Sequence, residues 1–596
     1  MNFPVQFVSQ EKTESLPVFD NIVYRVSHVN ELISIGIRNV ITQFTSKAEF
    51  SPAILPSDVF DELLQSDLHD NSVSFTVYLI NPKIAPNVKY AYRSVNSASC
   101  YTSLLLRYTT NLQYMLLDLS ATPSQYGSFI PGVGFRMVQY PRLLIQTEGK
   151  PILNPSFVSE IAFALHQSVL GFLFPSVHSF FLRSELASQD IDSSWDFGII
   201  LVEVITVVQE NQDNTLDAFL AATESNRTAF WSHVAKQLSS VSLTEKQFVV
   251  NTHSIALSKS PVLSFLLTEC LTITAAKKPA QKNDLTTVLN SQPLFRLLDR
   301  HRAQLFAELG IAKEQQELQG HTVGRVTVIP VFLFSLVSPN AVLLDGEHSA
   351  LSREETIVAV ETRGVKKGFR KQECNRKKVE FAPYDSRRSI LQEVLSVLFG
   401  LMPLHLHGSA VEASVVEDYR VAMTEDVLSV FSDSVIITPY HHYLAQRNSA
   451  LVALTTLSSW MKRLLRHYEE LTSFYGMSID VFFLPRDYHE WKERWFMVQR
   501  LMTEIAMYLS MNDFATTMDL VDQALFTLRR LDAIPLQLES IATSRQFPES
   551  AWNPMEWLLV VLGSVGVAAV LSFILLRVPR RGKKRNAYDR IVSFSH

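Results

Sequence analysis

Along the first 360 residues short apolar runs alternate with polar or turn residues, and the period of the runs switches between two and about 3.6. Ile22–Val26 is a short apolar run, Asn30–Phe44 has helical spacing, and Val73–Ile80 (VSFTVYLI) is β-branched and aromatic, which predicts a strand. Asn81-Pro82 stops it. Tyr101–Leu119 ends in Tyr114–Leu119, a predicted buried strand leading into a turn that carries Asp118, Ser120 and Tyr126. Asn154–Leu182 is again helical, with Ser156 and Glu160 forming a rough helix start. Phe197–Val208 (FGIILVEVITVV) is nearly continuous and β-branched, the pattern of a central strand buried on both faces. Next come an amphipathic helix at Leu216–Leu238, a strand at Phe248–Ala256, a mixed segment at Val262–Thr274 and an exposed linker at Ala275–Asp284. A helix at Pro293–Leu309 and strands at Arg325–Leu336, Ala341–Leu344 and Thr356–Glu361 follow. This interleaving predicts an α/β core in two related halves.

From Ser389 the spacing turns helical, over Ser389–Leu401, Tyr443–Tyr475, Tyr488–Met511 and Phe514–Leu531. Trp557–Leu576 (WLLVVLGSVGVAAVLSFILL) then has no charged residue, and a helix of that length rises about 30 Å, the thickness of a bilayer core. The expected fold class is an α/β (or α+β) ectodomain with a helical membrane-proximal part and one C-terminal transmembrane helix. Its divisions are 1–275, an N-terminal α/β region; 285–362, a second α/β region; 363–388, a basic loop; 389–550, helical; 557–576, the span; and 577–596, a tail.

Arg577, Arg580, Arg581, Lys583, Lys584 and Arg585 follow the span, whereas Glu549 and Glu556 precede it, so the positive-inside rule places the tail in the cytosol. The protein is then expected to be single-pass and type I, in the secretory pathway or at the cell surface. The opening MNFPVQFVSQEKTESLPVF shows no basic segment followed by an apolar run, which leaves two routes. Either a signal peptide is missing from this sequence, or the protein is tail-anchored and faces the cytosol.

The run YMLLDLSATPSQYGS (Tyr114–Ser128) resembles a DLxAxPxxYG segment of a family of uncharacterised plant and protist single-pass membrane proteins with a large lumenal domain. NFPV (Asn2–Val5) resembles the start of that family's mature domain, and VIPVFLFSL (Val328–Leu336), LLDG (Leu343–Gly346) and FGLMPLHL (Phe399–Leu406) resemble later segments. The resemblance implies a lumenal domain behind a cleaved signal peptide and supplies no catalytic residue.

At 596 residues and 47% hydrophobic content the chain can build several cores. A net charge of -5 with no basic stripe excludes a nucleic-acid footprint. Cys100, Cys270 and Cys374 allow at most one internal disulfide. His405 and His407 in PLHLHG could share a zinc ion with His441 or His442 in PYHHY, but the spacing fits no established zinc pattern, and ordinary polar or core histidines explain the same residues. Asp345, Glu347 and His348 follow a buried strand, where either proton transfer or a plain Asp-Gly turn accounts for them. PGVGF (Gly132–Gly134) lacks a third glycine, and no nucleophile elbow or phosphate loop is present.

Arg363–Lys378 holds eight basic residues and two glycines and is expected as a solvated loop, suited to anionic headgroups, glycans or a partner, with Cys374 exposed for an intermolecular bridge. Asn226 opens a glycosylation sequon. Ser564, Ala568 and Ser572 form a small-residue ridge suited to a homodimer through the span. Tyr588 and Ile591 have the spacing of a tyrosine sorting signal, and the basic tail suits acidic lipids. No cofactor is implied. The expected role is a binding or structural component with lumenal protein partners. A membrane-tethered, metal-dependent hydrolase and a tail-anchored adaptor are the alternatives.

Overall fold

The computed structural model describes residues 4 to 542 in segments. Residues 1–3, 10–22, 141–158, 166–198, 211–227, 241–246, 276–284, 313–325, 366–370, 402–405, 409–414, 418–436, 476–484 and 543–596, with shorter intervening stretches, lie outside the description. Two compact units are formed, the larger spanning Val5–Val18 and Tyr24–Ser449 and the smaller spanning Met1–Pro4, Phe19–Val23 and Ala450–His596.

The larger unit opens with strands β1 (Pro4–Ser9) and β2 (Val23–His28), helix α1 (Glu31–Ser46), strand β3 (Ala53–Leu55), helix α2 (Asp61–His69) and strand β4 (Phe75–Ile80). Strands β5 (Tyr90–Arg93), β6 (Tyr101–Thr102), β7 (Leu104–Tyr108) and β8 (Gln113–Asp118) follow. A five-stranded sheet has the order β2-β1-β4-β8-β7, with β1, β4 and β8 parallel and β7 antiparallel to β8. Helix α1 buries Ile33, Ile37 and Ile41, one face at four-residue spacing, in a core with Phe60, Leu64, Tyr78, Tyr90, Tyr92 and Leu116. Beside it β3 pairs in parallel with β5 in a small sheet.

The same plan returns downstream. Strands β9 (Ser124–Ile130) and β10 (Gly134–Tyr140) intervene. The second set is β11 (Ile199–Val208), β12 (Gln247–Ala256), α3 (Pro261–Cys270), β13 (Leu271–Ala275), β14 (Leu285–Leu289), α4 (Ser291–Glu308), β15 (Val326–Val337), β16 (Leu343–Leu344), β17 (Ala350–Arg353) and β18 (Thr356–Arg363). The order is β12-β11-β15-β18-β17, again parallel except for the final hairpin, and β14 pairs in parallel with β16 as β3 does with β5. Strand β11 is central and buried almost throughout, as its continuous β-branched run requires. Leu201, Ile205, Leu263, Leu266, Phe295, Leu298, Phe332 and Phe334 fill this second core.

The expected basic loop is corrected in part. Residues 371–380 form a hairpin, β19 (Lys371–Cys374) and β20 (Lys377–Glu380), that completes a four-stranded sheet of order β10-β9-β19-β20. Its two-residue turn, Asn375 (φ 49°) and Arg376 (φ 70°), has the doubly positive φ that matches strand twist. Helix α5 (Arg387–Phe399) ends at Gly400 in the left-handed region, and β21 (Leu406–Gly408) pairs with β22 (Val415–Glu417).

Three long helices follow: α6 (Pro439–Tyr475), α7 (Pro485–Ser510) and α8 (Phe514–Ala542). In the smaller unit their buried residues recur at alternating steps of four and three: Ala450, Leu454, Leu457, Met461, Leu464 and Tyr468; Trp491, Trp495, Val498, Met502, Ile505 and Leu509; Phe514, Met518, Val521, Leu525 and Leu528. That spacing keeps one seam facing its neighbours in a bundle. Tyr468 locks the three helices together, accepting from Trp491 Nε1 at 3.0 Å and donating to the Leu531 carbonyl at 3.1 Å.

The expected transmembrane helix is corrected. Among the described residues no helix is long and apolar enough to cross a membrane, because the long helices carry charged residues along their lengths. Trp557–Leu576 lies outside the described residues. The fold class is therefore a mixed α/β arrangement of several sheets with a helical bundle. Among the described residues there is no span on which a single-pass, type I placement in the secretory pathway, or a cytosolic tail, could rest.

Candidate functional site

In parallel sheets ligand chemistry collects beyond the C-terminal strand ends, and each sheet here places a buried acid there. Counted from the hairpin turns, Asp118 of β8 and Glu361 of β18 occupy equivalent positions, opposite Ile80 and Ser335. Asp118 Oδ2 accepts from Tyr90 Oη at 2.8 Å and Tyr92 Oη at 2.6 Å, while Oδ1 accepts from the backbone N–H of Ser120 at 2.8 Å and of Ala121 at 3.2 Å. Burial pushes its carboxyl up to about 6, and the two tyrosine hydroxyls and two amides hold it from going higher. Ser120 Oγ donates to Asn81 Oδ1 at 2.5 Å, closing the strand-end turn. Glu361 accepts from Ser386 N at 3.2 Å and Ser386 Oγ at 2.8 Å, at the start of α5. A third acid, Glu203 on β11, accepts from Asn251 Nδ2 at 3.1 Å and lies 2.6 Å from His253 Nε2. All three carboxylates are buried.

These arrangements anchor the scaffold. Asp61 of α2 binds Arg107 and, at 2.7 Å, accepts from Tyr114, while Asp67 accepts from Tyr78 at 2.6 Å, so α2 is tied to the sheet by its two acids. A proton-transfer residue needs access to a substrate. Asp118 is 2% exposed and takes four donors from its own fold.

The residues singled out in the sequence fall as follows. His441, at the start of α6, is buried with Nδ1 2.7 Å from Thr438 Oγ1. His442 is half-buried, and burial, with His441 beside it, lowers its pKa. His407 lies on β21 opposite Val416, and His405 lies outside the described residues. Among the described residues no three His, Cys, Asp or Glu side chains are grouped to hold a metal. Asp345, at φ 51°, caps α4: Ser291 N donates to Oδ1 at 2.8 Å and Ser291 Oγ to Oδ2 at 2.5 Å. The backbones of His348 and Leu344 bond each other, closing the turn, and Glu347 lies outside the described residues. Asn226, Ser564, Ala568, Ser572, the basic residues from Arg577 to Arg585, Tyr588 and Ile591 also lie outside them.

Cys374 is corrected outright. It is fully buried and bonded to Cys100, with the Cα atoms 5.8 Å apart. Gln372 and Cys374 alternate inward with Glu373 between them, a period of two hidden among basic letters. Asn375 docks the hairpin on β9 and β6: it donates from N to the Gln125 carbonyl at 2.6 Å and from Nδ2 to the Tyr101 carbonyl at 2.7 Å, and accepts from Gln125 N at 2.8 Å. Tyr90 and Tyr92 were also not singled out, although their alternation in YAY puts both hydroxyls on one face.

Exposure of apolar side chains distinguishes one surface, on α7. At about 100° per residue, Phe496, Met497 and Met507 share the face opposite the Trp491–Leu509 seam, and Met511 follows the last residue of the helix. Phe496 is 56% and Met511 62% exposed. Arg500 and Glu504 pair at 2.9 Å within this stripe.

Comparison with known proteins gives one assignment. No curated protein and no solved structure matches the chain. Residues 2–175, which carry the first five-stranded sheet, match a domain of unknown function (DUF7906).

Proposed function

We propose that the chain is a binding component that recognises a protein partner, with the outer face of α7 as its contact surface. The observation that carries this reading is the Phe496–Met497–Met507–Met511 stripe. Large apolar side chains left in water on a helix whose other face already serves a core mark an interaction surface. Unbranched methionines adapt to a partner's shape, and the central Arg500–Glu504 pair gives the surface polar register. The occupant that fits is an amphipathic helix of another protein, laid along the stripe with anchors at three and four residue steps. The buried acids support the same reading, since Asp118 and Glu361 are engaged in holding a strand-end turn and a helix start.

Photo-crosslinking amino acids at positions 496, 507 and 511, with a control at the exposed Lys462 of α6, test this in cells expressing the whole chain. One discrete adduct shared by the three positions and absent at the control is expected, and F496E/M511E should abolish it while shifting stability by less than about 0.5 kcal/mol. No adduct, or equal labelling at the control, would sink the proposal.

A further inference from the structure

We infer that the first turns of α6 carry a binding site for an oxyanion, a carboxylate or phosphate group, held by Arg447. Arg447 is 6% exposed, and its Nη1 is buried with no hydrogen-bond partner. A guanidinium remains protonated in proteins, so this is a buried positive charge. The groups that act on it are the hydroxyls of Tyr443 and Tyr440, and no carboxylate of the described residues is among them. Burial accordingly lowers its pKa.

Two other arginines of the larger unit have oxygen partners. Arg107 pairs with Asp61, and Arg363 donates to the carbonyls of Gln209 at 2.5 Å and Ser335 at 3.2 Å. A buried charge without such provision destabilises a fold by several kcal/mol. Arg447 thus has the form of a site completed from outside.

The surroundings select the class of ligand. A positive charge excludes cations, and the planar fork of donors matches the paired oxygens of a carboxylate or phosphate. Tyr108 packs its ring against Tyr443 at 4.8 Å and Tyr440 at 5.9 Å, an aromatic cluster that includes both tyrosines acting on the guanidinium. Asn448 donates to the Phe399 carbonyl at 2.8 Å and fixes the helix at this level. All of these residues belong to the larger unit.

The test is thermal unfolding of the full chain titrated with inorganic phosphate and, separately, acetate, against sodium chloride at matched ionic strength. A saturable rise in Tm with phosphate alone assigns a phosphate group, with acetate alone a carboxylate, and with both the shared oxyanion chemistry. R447M should raise the Tm of the anion-free protein and erase the response. Should R447M fail to fold, R447K is expected to weaken the midpoint about tenfold by replacing the fork with a point charge. No saturable rise with either anion, an unchanged midpoint in R447K, or an R447M protein that keeps the response would overturn the inference.

Discussion

Asp118 takes four hydrogen bonds, and still burial leaves its carboxyl at about 6, above the 3.8 of an exposed aspartate. The folded chain therefore binds this proton more tightly than the unfolded chain. The resulting stability is fully present below about pH 3.8 and is lost as pH rises through about 6. Between pH 4.5 and pH 7 this group alone should remove about 2 kcal/mol. Denaturant titrations of wild type and D118N at the two pH values measure it: the difference between the proteins should change by that amount, and a constant difference would show that Asp118 does not titrate there. Asp118 and Ser120 were legible because a buried run ended in turn residues. Tyr90 and Tyr92 were not, because the small sheet that presents them depends on β3 meeting β5, 37 residues further on. Asp345 was legible in both its senses, and the capped helix selects the turn.

At the scale of elements, periodicity within one segment read well and pairing between distant segments did not. The four-three steps of α6, α7 and α8 announce helices with one seam, and β11 announces a central strand. The hairpin β19–β20 was hidden because its partners lie some 250 residues earlier, and the eight basic residues of Arg363–Lys378, four of them its own, suggested solvent. The Cys100–Cys374 bond closes a loop of 274 residues. In a chain-entropy account such a crosslink stabilises by about 5 kcal/mol by restricting the unfolded chain. The C100S/C374S double variant should lose a large part of this in denaturant unfolding. Reductant should destabilise wild type and leave the variant unchanged, and equal sensitivity of the two would show the bond is not formed.

At the scale of the molecule, the larger unit repeats one plan, two parallel-centred sheets of the same strand order, each with a small sheet built on one parallel pair and with matching strand-end acids. The expectation of two related halves came from alternation of elements alone; the order of strands could not be read, because every central strand is apolar in much the same way. Two maxima of hydrogen-exchange protection should result, one at β4 and β8 and one at β11 and β15, with β7 and β17 exchanging faster as edges. A single maximum confined to one half would contradict this.

The shared sheet β10-β9-β19-β20 also sets a schedule for synthesis. The segment that matches the domain of unknown function, 2–175, contains β9 and β10 but must wait for residues 371–380 before that sheet is complete and Cys100 meets its partner. At about 5–20 residues per second, translation of the intervening chain takes roughly 15 to 55 seconds. Throughout that interval the nascent first half exposes an unpaired strand edge and a free thiol, so a chaperone or oxidoreductase acting on this chain has its window there, before β19 pairs with β9.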